Sequence, residues 1–190
     1  MLPPPPSLLL RYAEAFEADD ADGFIKVMKN INQIFRPKSQ TPLHKCGEKT
    51  GCPMIAAAIV SRGGNSNARD MNGRTPLYVA AKSNLPAVMK VLVEDGFASV
   101  EMPDTLPGQG YTPLHVAANY DNPEAVQYLL SQGAMINSHD LHYATPLVSA
   151  CKLLGDDRCT GKAVEILIKA NADVNEAEGV RDKMILCKIL

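Results

Sequence analysis

The segment "GYTPLHVAANYDNPEAVQYLLSQGAMIN", residues 110–137, contains the tetrad TPLH at Thr112 to His115. The same tetrad stands at Thr41 to His44, and the variants TPLY and TPLV begin at Thr75 and Thr145. Successive tetrads lie 34, 37 and 33 residues apart. A recurrence of that length marks an array of stacked units. Small residues follow each tetrad (Ala80-Ala81, Ala117-Ala118, Ala150-Cys151), then an apolar stripe at helical spacing, a Gly or Asn, and a terminal Asn.

Each TPL starts a helix. Thr supplies an N-cap hydroxyl, and Pro at the first helical position gives up only an amide that would have no partner there. Leu114, Ala117 and Ala118 fall on one face, where the alanines let a second helix approach closely. That second helix, in "NPEAVQYLLSQG", carries Ala125, Val126, Leu129 and Leu130, and Gly133 provides a left-handed stop. Turn formers separate the units, as in "NARDMNGR" at 67–74, where Asn72-Gly73 suits a tight hairpin. The unit is helix, turn, helix, hairpin.

The tetrad, alanine pair, apolar stripe and period together resemble those of the ankyrin repeat family. The resemblance implies an all-α ankyrin-repeat solenoid of helix-turn-helix units joined by β-hairpin-like loops. Four repeats are expected at about 37–69, 70–103, 104–138 and 139–175, roughly three quarters of the 190-residue chain. The outer copies depart from the pattern. The first has Lys45, Cys46 and Gly47 where one apolar and two small residues belong, so its helix is expected to be looser. The fourth has Val148 in place of His, inserts "GDDRCTG" at 155–161, and has Tyr143 where a hairpin Gly belongs.

A 190-residue chain with 46% hydrophobic residues can bury a continuous core. A net charge of −2 with no basic stripe argues against nucleic acid as a partner. Five cysteines, an odd count with no CxxC, fit reduced thiols in the cytoplasm or nucleus. The opening "MLPPPPSLLLR" lacks a leading positive charge and a sufficient apolar run for a signal peptide. No segment approaches the roughly 18 apolar residues of a membrane span.

Residues 1–10 read as a flexible Pro-rich leader, and 11–36 as a degenerate helical pair without its tetrad. The acidic Asp19-Asp20 break suits the solvent side of the cap that a solenoid's end repeat needs. A flexible leader is the other reading of this stretch. Residues 176–190 form a tail or apolar cap, unless the chain is one isoform or fragment of a longer array.

Chemistry has little foothold. His44, Cys46 and Cys52 match no common zinc spacing and lack an evident fourth ligand. The resemblance makes His44 and His115 structural. Cys151 and Cys159 have no adjacent His to activate a thiol, and no phosphate loop, G-x-S-x-G or His-Glu metal motif is present. No cofactor is expected. A metal-dependent regulator or enzyme using the Cys46/Cys52 region stays as the alternative to a monomeric, non-catalytic adaptor that binds proteins.

The resemblance carries the family's variable contact positions, beside the tetrad and the alanine pair, onto Arg74, Lys82 and Ser83, onto Tyr111, Asn119 and Tyr120, and onto Ala144, Lys152 and Leu153. Tyr111 and Tyr120 stand out, because amphipathic aromatics concentrate binding energy. The 37-residue spacing suggests that "EMPDTLPGQGY", 101–111, lengthens a hairpin by about four residues against the 33-residue period, projecting Leu106 toward a partner. The family also includes substrates of an asparaginyl hydroxylase. Asn175, with Leu167, Asp173 and Val174 before it, fits that preference better than Asn137, although bracing of the hairpins is the preferred role for both. Finally, Cys187-Lys188-Ile189-Leu190 has the C-a-a-X form of a geranylgeranylation signal. Lys188 and the sparse basic support argue for an unmodified terminus.

Overall fold

The computed structural model describes residues 18–23, 40–48, 51–105, 109–152 and 160–174. Among them the chain forms four helix pairs: α1 (Pro42–Cys46) with α2 (Pro53–Val60), α3 (Pro76–Lys82) with α4 (Pro86–Lys90), α5 (Pro113–Asn119) with α6 (Pro123–Ser131), and α7 (Pro146–Cys151) with α8 (Lys162–Lys169). A π-turn over Val91–Asp95 prolongs α4. No extended strand occurs among the described residues. The expected all-α solenoid is the architecture found.

The tetrads act as their chemistry requires. Thr75, Thr112 and Thr145 each accept, through the side-chain oxygen, the amide of the third helical residue, at 3.2 to 3.4 Å. First helices pack on first helices, and second helices on second helices. The tetrad leucines Leu43, Leu77, Leu114 and Leu147 are buried between them, as are Ala80-Ala81, Ala117-Ala118 and the second-helix residues Ile55, Met89, Leu129 and Leu167. In the first repeat Cys46 and Gly47 take the place of the alanine pair. A Cβ on Gly47 would stand 2.9 Å from the amide nitrogen of Ala80, so the missing side chain is what lets α3 approach. Helix α1 is correspondingly short, five residues against seven in α3 and α5.

The 37-residue spacing has two origins, which corrects the expectation that the hairpin absorbs all of it. Ten residues separate Pro53 from Gly63 and Pro123 from Gly133, but eleven separate Pro86 from Phe97. The extra residue is taken up by the π-turn, where Gly96 donates to the Val91 carbonyl at 3.0 Å. Phe97 consequently occupies the left-handed position held by glycine in the flanking repeats, with φ +52°. The remaining three residues enlarge the hairpin, whose residues 106–108, including Leu106, lie outside the described residues.

Polar side chains tie each repeat to the next. Asn67 accepts from the Ser99 amide at 2.8 Å, Glu101 from Met135 at 2.8 Å, and Asn137 from Asp173 at 3.0 Å. A second series lies at turns where Asp19, Asn84 and Asp121 adopt positive φ, the latter two between paired helices. Each of these caps the second helix of the following repeat: Asp19 receives the amides of Met54 and Ile55, Asn84 that of Ala125, and Asp121 that of Ala163. In the first repeat the equivalent residue is Gly51, which has no side chain to offer.

The tetrad histidines make a third series. Nδ1 of His44 faces the Thr41 amide (3.1 Å) and hydroxyl (2.9 Å), and Nε2 donates to the Arg74 carbonyl at 2.8 Å. His115 repeats this between Thr112 and the Ala144 carbonyl, at 2.9 Å. Burial holds both imidazoles below their ordinary pKa of 6.5, the carbonyl bonds only partly opposing it. The folded state therefore binds fewer protons than the unfolded chain as pH falls below that value, and this contribution to stability is lost toward acid. The free energy of unfolding from urea titration, and with it the midpoint, should drop between pH 7 and pH 5, the free energy by up to about 1.4 kcal/mol per pH unit for each histidine. A His44→Gln/His115→Gln variant whose midpoint falls just as steeply would exclude these two groups as the source.

Candidate functional site: first-helix ends and hairpin turns

The carried-over positions meet different environments. At the C-terminal end of the first helices, Lys82 and Lys152 are exposed and Ser83 and Asn119 half-buried. Tyr120 is 47% exposed, and the Lys82 ammonium lies 4.9 Å from the centre of its ring, a cation–π contact that bridges two repeats. Leu153, Asn175 and Cys187 lie outside the described residues.

Beside the tetrads the picture changes. Arg74 is held on Asp70, with Nε 2.8 Å and Nη2 2.6 Å from Oδ2, so its charge is engaged within its own hairpin. Tyr111 is half-buried, its ring stacked on the His115 imidazole with centroids 5.7 Å apart. Burial, and then the carboxylates of Asp140 and Asp104, push its phenol above the ordinary range. Ala144 is corrected: it is 3% exposed, so its side chain offers no surface, and its backbone serves His115 and Asp140 instead.

Most of the large exposed apolar side chains stand elsewhere. Met71, Leu141 and Tyr143 occupy the hairpin turns, and Phe97 and Met135 the turns after the second helices. Tyr143 is 82% exposed at φ +59°, in the place held by Gly73 and Gly110 in the other hairpins. A Cβ on Gly73 would collide with Thr105, and one on Gly110 would come within 2.8 Å of Leu141. The departure from Gly at 143 was the legible signal for this residue. Phe97 had none, because its position depends on the π-turn.

The hairpins are also joined to one another. The Arg69 guanidinium donates to the carbonyls of Gly73 and Pro103, both at 2.7 Å, and the Leu141 amide donates to the Gln109 carbonyl at 3.0 Å. Tyr78 replaces the tetrad His, and its phenol is held above the ordinary range by burial first and then by the Asp104 carboxylate.

The metal reading finds no geometric support. Both ring nitrogens of His44 are engaged, and burial pushes the Cys46 thiol well above its ordinary pKa, with Cys52 and Asp19 adding to it. A buried protonated thiol is a poor ligand and a poor nucleophile. Among the described residues no group of three His, Cys, Asp or Glu could hold a metal ion.

Comparison with known families agrees with this arrangement. A model described as ankyrin repeats in three copies matches residues 98–178, and one described as an ankyrin repeat matches residues 72–105. The chain belongs to the ankyrin repeat family. It is also 31% identical over 121 residues to the human transient receptor potential cation channel subfamily A member 1, a match covering 64% of this chain and 10% of that protein. The chain thus spans about a tenth of that relative's length. No described helix of this ankyrin repeat protein is long and apolar enough to cross a membrane.

Proposed function

We propose that the chain is a non-catalytic, monomeric adaptor that binds protein partners through its hairpin turns and the exposed ends of its first helices. Ankyrin repeats are generally protein–protein interaction modules, and one observation on this chain carries the reading. Large apolar side chains, Met71, Leu141 and Tyr143 at the turns and Tyr120 at the C-terminal end of α5, are exposed on a backbone braced from repeat to repeat. Exposed apolar surface costs solubility, and a rigid aromatic loses little entropy on contact. Lys82, Ser83, Asn119 and Lys152 would border that surface, with Leu153 and Leu106 as further contacts.

Cys46, Cys52 and Cys151 are buried thiols, which supports a reducing compartment, cytoplasm or nucleus. The bonds from Met54 and Ile55 to Asp19 support 11–36 as a capping helical pair on the four repeats of 37–175.

Affinity purification with mass spectrometry should show the principal partner depleted at least about tenfold by Tyr120→Ala/Tyr143→Ser, since aromatic contacts commonly contribute more than 1 kcal/mol. An unchanged partner set from a folded double variant would move binding off this face.

A further inference from the structure

Left-handed backbone recurs after the second helix of each repeat, at Gly63 (φ +81°), Phe97 (+52°), Gly133 (+81°) and Asn171 (+64°). Glycine and asparagine tolerate that conformation, whereas a bulky side chain is strained in it. At Phe97 the fold imposes it from both sides. The Gly96 amide donates to the Val91 carbonyl at 3.0 Å and the Ala98 amide to the Leu92 carbonyl at 2.9 Å. From the preceding repeat, Asn67 donates to the Phe97 carbonyl at 3.3 Å and accepts from the Ser99 amide at 2.8 Å. The chain does not use the ring held in this way: at 83% it is the most exposed large apolar side chain among the described residues. A Cβ on Gly63 or Gly133 would meet nothing within 4 Å, so the equivalent turn on either side is uncovered as well. An exposed apolar side chain is ordinary by itself. Backbone strain that the fold maintains for a ring it leaves in water points to a contact outside the chain.

Charge defines that contact. Glu94 and Asp95, within three residues of Phe97, are both exposed. Lys90 reaches Glu94 only at 3.9 Å, Asp95 has no ion pair among the described residues, and Arg62, one repeat earlier, turns its guanidinium to the Ala58 carbonyl. We infer that Phe97 is the knob of a second protein contact, separate from the hairpin surface, and enters an apolar pocket of a folded partner whose rim carries lysine or arginine opposite Glu94 and Asp95. A protruding ring calls for a concave acceptor, and a phenyl buries a large area while losing few rotamers. The two carboxylates favour a cationic rim and disfavour an anionic membrane surface.

The test has three arms. Phe97→Gly should raise the thermal midpoint by about 2–4 °C, since it relieves the left-handed strain, and Phe97→Ala, which keeps Cβ, should raise it by less. A midpoint for Phe97→Gly at or below that of the unchanged chain would show that the ring serves the fold and would overturn the proposal. The probe for the contact is fully aminated β-cyclodextrin, an apolar cavity ringed by ammonium groups, with plain β-cyclodextrin as the uncharged control, each titrated into the full chain and followed by amide NMR. Saturable shifts centred on Phe97 are expected, with about threefold tighter binding of the cationic host that Glu94→Gln/Asp95→Asn abolishes. Equal affinity for the two hosts, no shifts at Phe97, or shifts that survive Phe97→Gly would overturn it. In cells, Phe97→p-benzoylphenylalanine should crosslink on illumination into an apolar pocket of a folded protein with lysine or arginine at its rim. Adducts on lipid, on a second copy of this chain or on no molecule at all would overturn it.

Discussion

Leu129→Ala is expected to lower the free energy of unfolding by about 2–5 kcal/mol, the cost of a transfer loss plus a cavity that close-packed helices fill only in part. Leu129 is fully buried in α6, which packs between the second helices of the neighbouring repeats, so no solvent-facing route relieves the void. The loss is a large fraction of the stability of a domain this size, typically about 5–15 kcal/mol. Tyr120→Ala, at an exposed site, should change stability by less than about 1 kcal/mol. Urea titrations of the two variants check both statements. A loss below about 1 kcal/mol for Leu129→Ala would mean that α6 is not part of the continuous core.

Asp121→Ala is expected to loosen the fourth repeat selectively. This one carboxylate receives the Thr160 amide (2.6 Å) and hydroxyl (2.7 Å), the Gly161 amide (3.1 Å) and the Ala163 amide (2.9 Å). Its removal leaves the start of α8 uncapped at a cost of about 1–2 kcal/mol, discounted for solvent access to the site. Burial by itself would raise the Asp121 pKa, but the bonds from Ala163, Thr160 and Gly161 outweigh it and the net shift is downward. A lowered folded pKa means that the contribution is whole above the ordinary value of 3.8 and is lost as pH falls through the folded one. Hydrogen exchange should quicken along α8 in Asp121→Ala while α3 and α5 stay protected, and Asp121→Asn should recover part of the protection, as Asn84 caps Ala125. Uniform acceleration across the array would show instead that the repeats unfold as one unit.

The helices that carry the surface were legible because their signals are local. Thr-Pro fixes a helix start within three residues, the alanine pair sets how closely helices approach, and a 33-residue period makes every further copy a confirmation. The candidate surface was legible only in part. Lys82 and Tyr120 stand exposed where the family pattern puts them, but Arg74 and Ala144 do not, because exposure there depends on the hairpin aspartate. Asp70 draws Arg74 inward, and Ala144 has no side chain long enough to emerge.

From its sequence alone, this chain is an all-helical array of repeated pairs in which Leu43, Leu77, Leu114 and Leu147 face inward, since tetrad and helical period act over a few residues. Contacts between repeats belong to the tertiary structure. The capping of α8 by Asp121 spans 42 residues. The placement of Phe97 depends on a π-turn that absorbs one residue so that Leu92 stays in the core. Hydrogen bonds and packing across repeats depend on distances between residues some 30 to 40 positions apart, and local sequence rules do not contain those distances.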